Sequence, residues 1–147
     1  MAIYKRVKTL DPVDAAYLAG LIDGEGSVSL SRKHRNENRQ LVISISSTER
    51  QLLTYAQDVL GAGKITNKRT YRAHHTPSVT FAITNRQALD LLKQVAPYLK
   101  SYKADRAAFI LQHYVRLTPR NGKYSSEQKT EREVFTERLL ALRPNAR

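Results

Sequence analysis

Two acids, Asp23 and Glu25, alternate with Gly24 and Gly26 at the end of the apolar, small-residue run Leu18-Ala19-Gly20-Leu21-Ile22. If that run closes a helix, both carboxylates stand at its C-terminus, where the helix dipole disfavours each by a few tenths of a kcal/mol to about 1 kcal/mol. A cation must compensate. The last-turn carbonyls lack intrahelical partners, and together with a carboxylate they form a cluster of hard oxygens suited to Mg²⁺. Gly24 and Gly26 let the backbone turn there and a large ligand come close.

The helix that must carry these acids has a legible start. Asp11 suits the N-cap, Pro12 the first helical position, and Asp14 follows three residues after the cap. These signals predict a helix over residues 12–23. From Ala15 to Ile22 it is apolar on every side, so it must be buried on two faces. One face covers its own domain. The other carries Ala16 and Gly20, four apart, with Ala15 and Ala19 beside them, and small residues let two helix backbones approach closely. An apolar stretch this short cannot cross a bilayer, which needs about 20 residues. A second protein helix is the expected partner.

Downstream, residues 27–33 alternate, Val28 and Leu30 against Ser27, Ser29, Ser31 and Lys33, and residues 40–46 do so again, Leu41, Ile43 and Ile45 against Gln40, Val42, Ser44 and Ser46. Period two with one apolar face predicts half-buried antiparallel strands. Thr48 is then placed to cap a helix ending near Leu60, stopped by Gly61 and Gly63. A second hairpin is expected from strands 64–72 and 78–84, turning through His74 to Pro77. Asn85 is placed to cap a helix to about Ala96, and helices over 102–117 and 126–142 complete the chain. Leu30, Leu41, Ile43, Ile65 and Phe81 should be core.

Residues 18–26 resemble the LAGLIDADG motif of homing endonucleases. They match it at its first six positions and its last, with Gly24 for the second alanine and Glu25 for the final aspartate. Periodicity alone gives an α+β domain. The resemblance implies the LAGLIDADG homing endonuclease fold: αββαββα, with a four-stranded antiparallel saddle lying in the DNA major groove, here with additional C-terminal helices. The motif occurs once over residues 1–147, which read as one domain. Single-motif members of the family dimerise, so a homodimer is implied, with Ala16, Ala19, Gly20 and Asp23 at its interface.

The resemblance also implies the chemistry, a metal-assisted phosphodiester hydrolysis that leaves a staggered double-strand break with 3′ overhangs and initiates intron mobility. Glu25, with the Gly24 carbonyl, would hold Mg²⁺; Mn²⁺ is expected to substitute and Ca²⁺ to bind without cleavage. Lys103, followed by Arg106 and Ala107, fits the family's active-site lysine pattern, and Lys100 is the alternative. Many members carry a glutamine just past the second strand. Ser47 stands there instead, shorter and able to act only through another water.

Charge placement points the same way. The chain holds 25 Lys and Arg against 13 Asp and Glu, a net charge of +12, which favours polyanionic partners. No acid lies between Val59 and Leu89, and Glu37 is the only one between Gly26 and Thr48. Solvated faces ordinarily mix both signs. The outward strand positions and neighbouring loops therefore supply a candidate DNA surface: Ser29, Ser31, Lys33, Arg35, Asn38, Gln40, Ser44, Lys64, Thr66, Lys68, Arg69, Arg72 and Thr80. Their uncharged donors and acceptors suit base edges, and the Lys and Arg suit phosphates or guanine.

Other chemistries fail. There is no cysteine, hence no disulfide, thiol catalysis or Cys-based zinc site. His34, His74, His75 and His113 form no metal-ligand pattern; His74 and His75 read as turn or phosphate-contacting residues. Glu127, Glu131, Glu133 and Glu137 alternate with Lys129, Arg132 and Arg138 as on a solvated helix face. With no spanning segment or signal pattern, the chain is expected inside the cell, at DNA, in archaeal or bacterial cytoplasm or an organelle. Two rival readings stay open: an RNA maturase that assists intron splicing, and a DNA-binding regulator that does not cleave.

Overall fold

The computed structural model describes residues 5–67, 77–119 and 123–144. Its first helix, α1 (Pro12–Glu25), begins as the sequence predicts: Pro12 lies in the first turn and the Asp11 carboxylate accepts the Asp14 N–H at 2.8 Å. It ends two residues later than expected, because the Gly26 N–H still reaches the Ile22 carbonyl. Ala15, Leu18, Ala19 and Ile22 are buried, whereas Val13 and Tyr17 are 79% and 50% exposed. The Tyr55 hydroxyl donates to the Asp14 carboxylate at 2.5 Å, which fixes the start of α1.

Four strands follow, β1 (Gly26–Ser31), β2 (Gln40–Ser47), β3 (Lys64–Asn67) and β4 (Val79–Thr84), antiparallel in the order β1-β2-β4-β3. The register sorts the residues into two rows. Val28, Leu30, Leu41, Ile43, Ile45, Val79, Phe81 and Ile83 are buried in one; Ser29, Ser31, Gln40, Ser44, Lys64, Thr66 and Thr80 share the other with graded exposure. Ile65 lies in the inner row but is only half-buried, since it sits on the edge strand. Gly63, at φ +97°, leaves no room for a side chain beside the Phe81 ring. Truncating Phe81 to Ala would cost about 3–5 kcal/mol.

Helices α2 (Arg50–Leu60), α3 (Asn85–Val95) and α1 cover the inner row. After a 3₁₀ turn at Ala96–Tyr98 come α4 (Tyr102–His113) and α5 (Ser126–Ala141). The order αββαββα with C-terminal helices is the expected one. Several boundaries differ for local reasons. β1 stops at Ser31, so Lys33 belongs to the exposed 32–39 connection. Thr48 caps nothing: Ser47 Oγ takes the Glu49 N–H at 2.9 Å, and Glu49 holds the N-cap position without a side-chain bond. Asn85 does not cap either. It is the first residue of α3, at φ +53°, and its side chain turns toward the sheet. α4 ends at His113, and 114–117 form turns. The second hairpin's loop, with Lys68, Arg69, Arg72, His74 and His75, lies outside the described residues.

Candidate active site and outer sheet face

The C-terminus of α1 meets the N-terminus of α4, and each holds the other. The Asp23 carboxylate accepts the backbone N–H groups of Lys100 (2.7 Å) and Ser101 (3.2 Å) and the Ser101 hydroxyl (2.5 Å). Ser101 caps α4, taking the Lys103 N–H at 3.2 Å. Lys103, in the first turn of α4, returns its ammonium to the carbonyls of Ile22 and Asp23, both at 2.8 Å. The chain thus supplies part of the positive charge that the end of α1 demands. This junction requires glycine at position 26, where a Cβ would lie 2.7 Å from the Ser44 carbonyl and 2.9 Å from the Ile22 Cα.

Electrostatics at the junction follow from burial. Lys103 is 7% exposed; desolvation lowers the pKa of its ammonium, Asp23 opposes this, Arg106 adds to it and Glu25 opposes it, for a net fall below the ordinary lysine value. Burial raises the Asp23 carboxyl, but the Ser101 hydroxyl, the Lys100 and Ser101 N–H groups and the Lys103 charge outweigh it, so its pKa lies below the usual carboxylate value. Glu25, one residue from Gly24 and felt electrostatically by Lys103, is exposed and makes no hydrogen bond or ion pair among the described residues. Ser47 is half-buried at the end of β2, its hydroxyl engaged by Glu49 N–H.

No group of three or more His, Asp or Glu among the described residues could hold a metal ion. A single chain therefore offers Glu25 and neighbouring carbonyl oxygen, a hard but incomplete set. That fits Mg²⁺, which is commonly held by one or two carboxylates and completed by substrate phosphates and water.

Two residues expected at a dimer interface are placed elsewhere. Ala19 is fully buried within its own chain, on the core side of α1. Asp23 spends its carboxylate on α4, as described. The exposed stripe of α1 consists instead of Val13, Ala16, Tyr17, Gly20 and Gly24, and a Cβ at Gly20 or Gly24 would meet nothing within 4 Å. Val13 and Tyr17 carry no small-residue signal, and only their helical spacing from Ala16 and Gly20 puts them on the same stripe.

On the outer sheet row, Ser27 and Ser44 share a hydrogen bond at 2.8 Å, as do Ser46 and Thr80. Gln40 is exposed and receives the Asn85 amide at 3.2 Å. Arg35 and Asn38 are exposed in the 32–39 connection. Arg132, expected on a solvated face, is 5% exposed: it donates to the carbonyls of Leu117 (2.7 Å) and Arg39 (2.5 Å) and lies 5.3 Å from the Tyr114 ring centre. Arg106 likewise donates to Val28 O at 2.8 Å and Leu142 O at 2.6 Å. Both tie the C-terminal helices to the sheet.

An acid-ended helix packed with its neighbours on one face of a four-stranded antiparallel sheet, the other face polar and almost free of acid, defines the α+β class of fold to which the chain belongs. The sequence profile of the LAGLIDADG endonuclease family matches residues 18–125, and the chain belongs to this family. It is similar to the intron-encoded DNA endonuclease ai2b of Dictyostelium discoideum, 26% identical over 69% of this chain, and spans 39% of that protein's length. Its fold is similar to that of the homing endonuclease I-CvuI in complex with its target in the presence of calcium (TM-score 0.73, 19% identity, 92% of this chain and 85% of that one). The archaeal intron-encoded homing endonuclease I-Vdi141I, complexed with DNA, is similar over 92% of this chain and 87% of its own, with TM-score 0.60 and 16% identity. Among the described residues, no helix is long and apolar enough to cross a membrane.

Proposed function

We propose that the chain is a site-specific DNA homing endonuclease. As a homodimer it makes a metal-dependent staggered double-strand break, leaving 3′ overhangs, in a long, approximately two-fold-symmetric target, and so initiates mobility of its host intron. The observation that carries this reading is the exposed Glu25 carboxylate, without a hydrogen bond or ion pair among the described residues and within the electrostatic reach of the buried Lys103 ammonium, at the end of a helix whose outer stripe is apolar and open.

Glu25 and the Gly24 carbonyl would hold the divalent ion, Mg²⁺ in this reading. Such an ion supplies Lewis-acid polarisation of phosphate and acidifies water. Lys103 is held in place by two carbonyls before substrate arrives, so its charge can oppose the negative charge that builds on phosphate oxygens without reorganising. Asp23 fixes the start of α4 and with it the position of Lys103. The outer sheet row and the 32–39 connection hold the duplex. Tyr17 and Val13 join Ala16 and Gly20 against a second copy of α1, so two sites form side by side, one for each strand. The match over 85% of I-CvuI's length supports a one-domain chain.

The test is cleavage of the joined flanking exons. Wild type should cut in Mg²⁺ and stop when the ion is chelated, while Glu25→Gln should bind the duplex and leave it intact. Full cutting by Glu25→Gln overturns the assignment. A wild-type chain that leaves every duplex intact and binds the flanking intron's RNA would favour the maturase reading.

A further inference from the structure

We infer that a buried tyrosine sets which end of the Gln40 side-chain amide faces the groove, and thereby which base Gln40 prefers. β4 ends with Thr84 opposite Val42, so on the β4 side of the sheet the backbone N–H of Leu41 has no strand partner, although Leu30 of β1 stands opposite Leu41 on the other side. Tyr114, 1% exposed, fills that place: its hydroxyl oxygen accepts the Leu41 N–H at 3.2 Å. A backbone N–H is always a donor, so the tyrosine's own proton must go elsewhere. The available acceptor is Asn85 Oδ1, at 3.1 Å. Were the Asn85 amide reversed, its NH₂ would face the hydroxyl and the tyrosine's own proton would lose its acceptor, and leaving a buried donor unsatisfied costs about 1–3 kcal/mol.

With Oδ1 turned to Tyr114, Asn85 presents its Nδ2 to Gln40 Oε1 at 3.2 Å. The left-handed backbone at Asn85, φ +53°, is what swings its side chain between the two instead of back over α3; asparagine is among the few residues that accept that conformation. Gln40 lies on the outer row opposite Ser31, exposed, and its Nε2 makes no hydrogen bond among the described residues. Its oxygen is engaged along the sheet and its NH₂ is the end left for a ligand. An unrestrained glutamine reads adenine with one donor and one acceptor; a donor-only glutamine suits guanine, whose O6 and N7 both accept. Tyr114 and Asn85 are therefore positioning residues for base choice at the pair that Gln40 meets.

This inference rests on Gln40 being a base-contacting residue, and the experiment separates the two. Duplexes selected from a randomised library by the full chain, without divalent ion, are substituted singly at every base pair and their binding is measured. Wild type should prefer guanine over adenine at one pair in each half-site. Gln40→Ala should lose that preference. Asn85→Asp keeps an acceptor toward Tyr114 but offers Gln40 a second acceptor in place of a donor. Gln40 should then reverse, and the preference should move by about tenfold toward a base that presents a donor, adenine or cytosine. Tyr114→Phe should erase the choice between guanine and adenine while leaving other positions alone. An unchanged profile for Gln40→Ala overturns the groove reading and this inference with it. A changed profile for Gln40→Ala beside a wild-type profile for Asn85→Asp overturns the inference alone, and that variant keeps the buried Tyr114 hydroxyl and an acceptor for its proton, so it decides the matter even if Tyr114→Phe does not fold.

Discussion

Asp23 and Lys103 hold each other's helix ends: the Asp23 carboxylate binds the backbone just before α4, and Lys103, in the first turn of α4, binds the main-chain carbonyl of Asp23 at 2.8 Å. The pair closes α1 onto α4 without a direct side-chain bridge. Each charge lies where the dipole of the other helix wants it, an anion at an N-terminus and a cation at a C-terminus. The first acid of the motif therefore fastens two helices together, whereas the second, Glu25, makes no hydrogen bond or ion pair among the described residues.

Asp23→Ala should destabilise the chain by about 1–2 kcal/mol near neutral pH, the scale of a lost helix cap. The native pKa of Asp23 lies below the unfolded value of 3.8, so the folded state binds fewer protons and the contribution is full above that value. It fades as pH falls through the lower native pKa. Urea unfolding across pH should show the gap between wild type and variant narrowing in acid; a gap independent of pH would remove the charge from the account.

Lys103→Met should slow single-turnover cleavage by about 10²–10³-fold, the range for removing one preorganised charge-stabilising donor, with little loss of duplex binding. Lys100→Met should cleave at nearly the wild-type rate. The side chain of Lys100 is exposed, and its bond to Asp23 is made by the backbone, which the substitution keeps. The reverse ranking would put the active lysine at position 100.

The parts of this molecule that were legible in the sequence are those governed by local rules. Asp11 and Pro12 announce the start of α1, and strict alternation in β1, β2 and β4 sorts their faces correctly. What escaped is non-local. Thr48 and Asn85 have the composition of caps, but Ser47 takes the bond at one site and the sheet claims Asn85 at the other. Arg132 has helical neighbours of opposite charge, which reads as a solvated face. Its burial is set by Tyr114 and the Arg39 carbonyl, distant in the chain. Asp23 stands where a metal ligand would, and only the packing of α4 shows that its oxygens are already taken.

Gly20→Leu should act with opposite signs on the fold and on assembly. Gly20 is exposed and a Cβ there meets nothing, so the single chain should gain roughly 1 kcal/mol as a helical glycine is replaced. In a dimer built on the α1 stripe the same leucine overpacks the crossing, costing about 1–3 kcal/mol. Sedimentation should show a wild-type dimer shifted toward monomer, with cleavage reduced and thermal stability of the monomer raised. An active wild-type monomer would refute the dimer.

Arg35→Ala and Gln40→Ala should fail in different ways, because one residue sits in the exposed 32–39 connection and the other on the outer sheet row. Most contacts between protein and DNA backbone carry no sequence information. If Arg35 neutralises a phosphate, its removal should weaken all duplexes alike and lower the slope of log affinity against log salt by about 1. Gln40→Ala should leave that slope unchanged, since an uncharged side chain releases no counterion. Binding titrations at several salt concentrations, on the selected duplex and on a scrambled one, measure both. Loss of slope with Gln40→Ala, or loss of sequence preference with Arg35→Ala, would mean that the duplex lies across the connection and not along the strands.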